Sequence, residues 1–214
     1  MNELSQLRKE YKKASLNEEC VQIEPLNQLR QWLDEAIKSK IAEPNAMVLS
    51  TLANEKNVSS RVVLIKDIWN DGIVFFTNYN SAKSRSIMSN PCVSLLFFWP
   101  ELERQVRIEG LTKKITEKES DNYFSTRPLE SRIGAWSSPQ SEIIPSRKWL
   151  ELEVKKTKTK FGNSPPRPKF WGGFIVTPSA FEFWQGRESR LHDRICYQSS
   201  ASSKTDWTIV RLAP

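Results

Sequence analysis

Glycine is scarce in this chain, with seven among 214 residues. Neither a GxGxxG nor a P-loop pattern occurs, so the glycine-rich cradles that bring backbone up to a phosphate in Rossmann and Walker-type sites are excluded. Histidine is scarcer still: His192 stands alone. The three cysteines, Cys20, Cys92 and Cys196, lie far apart with no CxxC spacing. That pattern gives neither a disulfide framework nor a zinc site, so free thiols and no metal are expected. The longest apolar run, Val93–Trp99 with Ser94 inside it, falls well short of the roughly 20 residues that span a bilayer. The first eight residues are polar and of mixed charge, lacking the apolar stretch of a signal peptide, and their acidic member argues against a transit peptide. A cytoplasmic protein with no membrane association is expected.

What is present is an ordinary balance, 38% hydrophobic and 27% charged. The length suits one domain with a proper core, read here as a mobile N-terminal segment, 1–24, and a single domain, 25–214. The net charge of +7 has three meanings: nucleic acid, a membrane surface, or a phosphorylated small molecule. A nucleic-acid binder clusters its charge. The one dense run, Lys155-Lys-Thr-Lys-Thr-Lys160, falls at the end of an expected helix, where cations suit the dipole. The other cations are scattered among apolar residues, which fits phosphate-bearing ligands in a pocket and no nucleic acid.

Leu4, Leu7 and Tyr11 recur at helical spacing and predict a short N-terminal helix. A second helix opens at Pro25, with Leu26, Leu29, Trp32, Leu33, Ala36 and Ile37 as its stripe. Strand patterns cover Ala46–Leu52, Val58–Ile68 and Ile73–Thr77, joined by turn residues as an antiparallel meander. A helix over Ser81–Ser89 has Ser81 as its N-cap. Val93–Trp99 and Arg104–Lys114 form a hairpin. Thr116-Glu-Lys-Glu119 is a capping box that starts a helix reaching about Thr126. Ser- and Pro-rich irregular chain follows, then a helix over Ser146–Phe161, a stiff linker at 163–168, and four strands: Gly172–Thr177, Ala180–Trp184, Arg190–Tyr197 and Trp207–Leu212. Short hairpin strands with interspersed helices predict an α+β protein around a small antiparallel barrel.

Several constellations could carry chemistry. In an extended strand, Arg190, His192 and Arg194 share a face, and three such groups repel unless something planar or anionic lies between them. Arg61-Val-Val-Leu-Ile-Lys66 is either a solvated strand edge or a strand passing beside a flat ligand. Ser81 and Lys83 sit at a helix start, where free N–H groups attract phosphate. Tyr123 and Arg127 are i, i+4 on the capped helix, with Ser131 beyond Pro128; they form either a surface pair or a phosphate-binding fan. Trp184 is either core or the wall of a ring-binding pocket. Ser-His-Asp catalysis would need His192, whose neighbour Asp193 points to the opposite face. Chemistry is therefore assigned to a bound cofactor.

Ten segments in order give the chain a close resemblance to the pyridoxine/pyridoxamine 5′-phosphate oxidase family, from about Leu7 to Pro214. They are Leu7–Tyr11, Arg61–Lys66, Val74–Asn78, Leu102–Gln105, Tyr123–Pro128, Ile133–Trp136, Phe170–Gly173, Phe183–Gly186, Arg190–Arg194 and Arg211–Pro214. The resemblance implies a split β-barrel with peripheral helices, a homodimer, and FMN at the subunit interface. It implies an FMN set of Arg61, Val62, Val63, Leu64, Ile65, Lys66, Phe76, Thr77, Lys83, Gln105, Gln140, Ser141, Trp184 and Arg194. The implied substrate set has Lys66, Tyr123, Arg127 and Ser131 on a phosphate, and Arg190, Leu191 and His192 at a pyridine ring. Arg8, Lys9, Glu10 and Tyr11 form a lid. Arg190 and His192 are the implied catalytic pair. The implied reaction oxidises pyridoxamine 5′-phosphate or pyridoxine 5′-phosphate to pyridoxal 5′-phosphate with O2. One departure is Ala82, where family members often carry arginine; it removes a cation from the expected FMN phosphate site. The alternatives are a split-barrel flavoprotein acting on another substrate and a non-catalytic flavin or B6-phosphate binding protein.

Overall fold

Pro25 opens the first long helix because its missing N–H costs nothing in a first turn. In the computed structural model, which describes residues 10–53, 56–200 and 203–214, that helix is α1, Pro25–Lys38. It buries Leu29, Trp32 and Ala36, while Ile37, at the rim of the expected stripe, is exposed. Of the expected N-terminal helix, Leu4 and Leu7 lie outside the described residues, and Tyr11 stands in irregular chain.

Among the described residues there are five α-helices and nine strands. The strands are β1 Ala46–Ala53, β2 Asn57–Leu64, β3 Asp67–Trp69, β4 Gly72–Asn78, β5 Cys92–Trp99, β6 Arg104–Lys114, β7 Trp171–Gln185, β8 Asp193–Ser200 and β9 Ser203–Arg211. The hydrogen-bonded order is β2-β1-β5-β6-β7-β4-β3, with β8 pairing both β7 and β9. The remaining helices are α2 Ala82–Ser89, α3 Glu117–Thr126, α4 Leu129–Ser137 and α5 Arg147–Phe161.

By its contacts the chain divides into two compact units. The first comprises Met1–Leu49, Ser94–Gly110 and Pro178–Pro214, and the second Ser50–Val93 and Leu111–Thr177. In the first, Trp32 meets Phe183 edge-on at 5.2 Å, and the guanidinium of Arg104 lies 4.4 Å above the Trp32 ring. Leu95, Phe97, Val106, Phe181 and Ile195 complete a core in which each large side chain contributes about 1.5–3 kcal/mol by leaving water. In the second, β4 is buried over Gly72–Phe75 and pairs antiparallel with β7, Phe76 standing opposite Gly173. Phe174 and Val176 of β7, Ile87 of α2, Phe124 of α3 and Ile133 of α4 pack as its core.

Four elements differ from the sequence reading. The strand expected over Val58–Ile68 breaks at Ile65-Lys66 into β2 and β3. The two strands expected over 172–184 are one, β7. Its ladder with β4 ends at Val176 and its ladder with β8 begins at Ala180, so Pro178 sits where neither ladder needs its absent N–H. The segment read as irregular after Thr126 contains α4. Finally, β8 starts at Asp193, not at residue 190: Glu188–Arg190 is a 3-10 turn in which Ser189 and Arg190 have φ of 54° and 61°.

Candidate functional site

Within the second unit, β4 delivers adjacent residues to two clusters. Thr77 Oγ1 accepts from Nζ of Lys83 at 3.2 Å and donates to Oε1 of Gln140 at 3.4 Å. Lys83, in the first turn of α2, is buried, and its ammonium also donates to Oγ of Ser81 at 3.2 Å. Ser81 occupies the N-cap position but does not cap: its hydroxyl donates to the Asn78 carbonyl at 2.7 Å, which leaves the first turn of α2 without a side-chain cap from it. Burial, reinforced by the charge of Arg61, pushes the Lys83 ammonium down to about 8. Arg61, on β2, donates to Oγ1 of Thr51 at 2.9 Å and Oγ of Ser59 at 2.7 Å, and burial lowers its pKa too. Two partly desolvated cations held by hydroxyls make a site suited to an anion with several oxygens.

Gln140 and Ser141 lie in the turn closed by the Glu142 N–H to Pro139 carbonyl bond, 3.0 Å. Ser141 takes φ of 73° there, the left-handed conformation that the third residue of a type II turn requires. The rest of the Arg61–Lys66 strand is mixed: Val62 is exposed, Val63 and Leu64 are half-buried, Ile65 is buried, and Lys66 is exposed, its N–H donating to the Val74 carbonyl at 2.9 Å.

The second cluster is aromatic. Phe76 stacks on Tyr123 with centroids 3.8 Å apart and planes 13° apart, and Trp171 lies nearly parallel to both. Gly173 permits this, since a Cβ there would come within 2.4 Å of Ile115 and 2.9 Å of Phe76. Arg127 lies 4.4 Å above the Trp171 ring. It is not a helical i+4 neighbour of Tyr123 as expected. Pro128 forces the preceding residue out of the α region, and Arg127 caps α3 with ψ of 146°. Its Nη1 is nonetheless buried with no hydrogen-bond partner, and burial lowers the pKa of the guanidinium and raises that of the Tyr123 phenol. An orphaned guanidinium N–H beside a phenol is a donor pair awaiting an acceptor. Ser131 is in the first turn of α4, half-buried.

Within the first unit, Trp184, His192 and Tyr11 form an aromatic corner. His192 lies 4.6 Å from Trp184, and Tyr11 meets the two rings edge-on at 5.7 and 5.8 Å. His192 Nδ1 accepts the Arg187 N–H at 3.1 Å. Burial first, and the charge of Arg190 second, lower its pKa below the ordinary 6.5. The ring is therefore neutral at pH 7 and carries its proton on Nε2, a donor. Asp193 is no partner for it: its carboxylate accepts from the Leu16 N–H at 3.0 Å, Arg187 at 3.2 Å and Arg211 at 2.7 Å. The shared strand face of Arg190, His192 and Arg194 is corrected here. Arg190 and Leu191 are exposed in the turn before β8, and Arg194 alone lies within the strand. Arg194 is gripped by Glu182, Nε to Oε1 at 3.1 Å and Nη2 to Oε2 at 3.0 Å, and donates to the Ala213 carbonyl at 2.7 Å. Gln105 is half-buried on β6, and Glu10 is exposed and paired with Lys12. Arg8 and Lys9 lie outside the described residues.

Sequence reasoning missed Trp171, Glu182 and Glu103. Glu182 left a legible signal, a lone acid between two apolar residues of a strand. Trp171 left none beyond its aromatic class. Among the described residues no acid, histidine and cysteine cluster could hold a metal, and no helix is long and apolar enough to cross a membrane.

Comparison with known proteins shows the family. Residues 33–161 match the family described as pyridoxamine 5′-phosphate oxidase, and residues 171–214 match the pyridoxine 5′-phosphate oxidase C-terminal dimerisation region. The chain is 51% identical over 214 residues to the pyridoxine/pyridoxamine 5′-phosphate oxidase of Burkholderia thailandensis and 49% identical to that of Cupriavidus taiwanensis, covering 100% of each chain. Among solved structures, PhzG from Burkholderia lata in complex with tetrahydrophenazine-1-carboxylic acid superposes with a TM-score of 0.86 at 28% identity, over 92% of this chain and 95% of that one. A pyridoxamine 5′-phosphate oxidase-related, FMN-binding protein from Nostoc punctiforme superposes with a TM-score of 0.71 at 15% identity, over 91% and 100%. The fold is the expected α+β split barrel.

Proposed function

We propose, from the premise that this chain belongs to the pyridoxamine 5′-phosphate oxidase family, that it oxidises pyridoxamine 5′-phosphate and pyridoxine 5′-phosphate to pyridoxal 5′-phosphate with FMN and O2, working as a cytoplasmic homodimer. The observation that carries the reading is the state of the second unit's cations: Lys83 buried and Arg61 half-buried, both held by hydroxyls, and Arg127 with an orphaned N–H. Two anionic groups are what such sites lack, and FMN and a B6 phosphate supply one each.

Lys83, Arg61, Thr77, Gln140 and Ser141 suit the FMN phosphate, even with Ala82 in place of the family's frequent arginine. Gln105, Trp184, Arg194 and the Arg61–Lys66 strand complete the FMN set. Held by these residues, FMN would supply two-electron chemistry, as acceptor at N5 for the hydride from substrate C4′ and as donor to O2, which would leave as hydrogen peroxide. Tyr123, Arg127, Ser131 and Lys66 hold the substrate phosphate. Arg190 holds the pyridine ring over the flavin, with Leu191 beside it. His192, neutral, donates from Nε2 to a polar ring substituent. Neither residue is an indispensable general base, because hydride transfer depends chiefly on near-attack geometry. Glu10 and Tyr11 cover the site. The alcohol yields the aldehyde directly, and the amine does so after hydrolysis releases ammonia. The match of residues 171–214 to a dimerisation region supports the homodimer.

The test is anaerobic addition of pyridoxamine 5′-phosphate to the FMN-loaded protein. The flavin band near about 450 nm should bleach, and air should restore it with one peroxide per aldehyde. A band that persists while both ligands bind would identify a non-catalytic binding protein. The likeness to PhzG favours one second reading, a substrate of the tetrahydrophenazine carboxylic acid type. Pyridoxamine 5′-phosphate turned over no better than pyridoxamine would favour it, because Arg127 would then have no phosphate to hold.

A further inference from the structure

Glu103 is an acid where neither its backbone conformation nor its burial favours one. It lies in the turn between β5 and β6, with φ of 56° in the left-handed region and 3% of its surface exposed. Among the described residues its carboxylate forms no ion pair. Oε2 instead accepts two consecutive main-chain N–H groups from the far end of the chain, Lys12 at 2.9 Å and Lys13 at 3.1 Å. The side chains of those lysines go elsewhere, Lys12 to Glu10 and Glu188 and Lys13 to the Glu101 carbonyl. The backbone of Glu103 is fixed from the other side. Its carbonyl accepts from the Gly186 N–H at 2.7 Å and from Nε2 of the fully buried Gln185 at 3.2 Å. Successive amides converging on one oxygen form an anion-binding nest. Here the anion belongs to the protein, and the nest belongs to the segment that carries Tyr11.

Tyr11 is thereby seated on Gly186, where a Cβ would come within 2.7 Å of its ring. Its ring edge closes over Trp184 and His192. We infer that Glu103 is a positioning residue: its carboxylate clamps the amides of residues 12 and 13 so that Tyr11 covers the Trp184–His192 corner when substrate binds. The inference deepens the proposed function and rests on it, since it takes that corner as a wall of the substrate site.

Two measurements separate the clamp from that function. In protein without ligands, Glu103→Ala should raise amide hydrogen exchange at Lys12 and Lys13 by about tenfold or more, while Glu103→Gln, which keeps an acceptor oxygen, should stay within a few-fold of the parent. In FMN-loaded protein, Glu103→Ala should raise KM for pyridoxamine 5′-phosphate about tenfold with a much smaller change in kcat and in FMN affinity, and Glu103→Gln should restore KM. In a Tyr11→Ala background, Glu103→Ala should add nothing to KM. If Glu103→Ala does not fold, Lys12→Pro, which deletes one donor and spares the turn, carries the same KM prediction. Unchanged exchange overturns the clamp; faster exchange with an unchanged KM, or a full KM effect without Tyr11, overturns the positioning role. A parent protein that binds the substrate without oxidising it sinks the proposed activity instead, and the same comparisons made on substrate Kd then decide the clamp.

Discussion

Lys83 concentrates the electrostatics of the second unit in one titration. Burial and Arg61 hold its pKa at about 8, below the roughly 10.4 of an unfolded lysine. Below about pH 8 both states carry the proton and the folded state bears the desolvation cost. As pH rises from there toward about 10.4, only the unfolded state stays protonated, so this group's contribution to stability grows with pH. Ligand binding runs the other way, because a phosphate on Lys83 favours the charged form. FMN affinity should fall as pH climbs past about 8, by up to about tenfold per unit, and Lys83→Met should flatten the profile and weaken binding at neutral pH. Flavin fluorescence quenching across that range measures both. At Arg127, substitution by Met should raise KM for the phosphorylated substrate by about 10- to 100-fold, the worth of a charge-assisted hydrogen-bond pair, and leave FMN affinity alone. Arg190→Ala should cost on the order of 100-fold in turnover with FMN still bound. Near-normal turnover in that variant would remove Arg190 from its assigned place. The residue types of this site were legible in the sequence. The protonation state and tautomer of His192 were not, because they depend on an amide five residues upstream and on a ring packed against it.

At the scale of elements, the capping box of α3 was legible because its chemistry is local. Thr116 Oγ1 accepts the Glu119 N–H at 3.2 Å, and the Glu119 carboxylate accepts the Thr116 N–H at 2.7 Å. Thr116→Ala should cost about 1 kcal/mol and lower Tm by about 2–4 °C, measured calorimetrically. Because α3 ends in Tyr123 and Arg127, the same variant should also raise KM modestly. The elements misread were those fixed by partners remote in sequence. Helix α4 has a short and weakly patterned buried face, Ile133 and Ser137, and Pro128 before it reads as a breaker as readily as a start. Strand β7 runs through Pro178 in the gap where its ladder with β4 has ended and its ladder with β8 has not begun. The turn at Glu188–Arg190 and the residues after it replace only the start of the strand expected over Arg190–Tyr197. Asp193, tied to Leu16, Arg187 and Arg211, marks where the ladder begins, and the residues before it are released into a loop.

For the whole molecule, the surplus of seven positive charges suits the two anionic ligands proposed, since Lys83 is buried and Arg61 and Arg127 are half-buried. Sedimentation should give twice the chain mass, in keeping with the dimerisation-region match of residues 171–214; a monomer that still bleaches its flavin with substrate would show that the dimer is not needed for the chemistry. The sequence by itself determined the fold class and the family, and it named the residues proposed to bind phosphate and ring. Hydrophobic period, caps and residue chemistry are written locally, and ten motifs in order carry them. Tertiary structure alone decided which of those residues are desolvated, which cation is left with an unpaired N–H, and that a buried glutamate holds the amides of residues 12 and 13. Burial and hydrogen-bond partnership are properties of chain segments brought together from as many as 195 residues apart, and no local pattern encodes that distance.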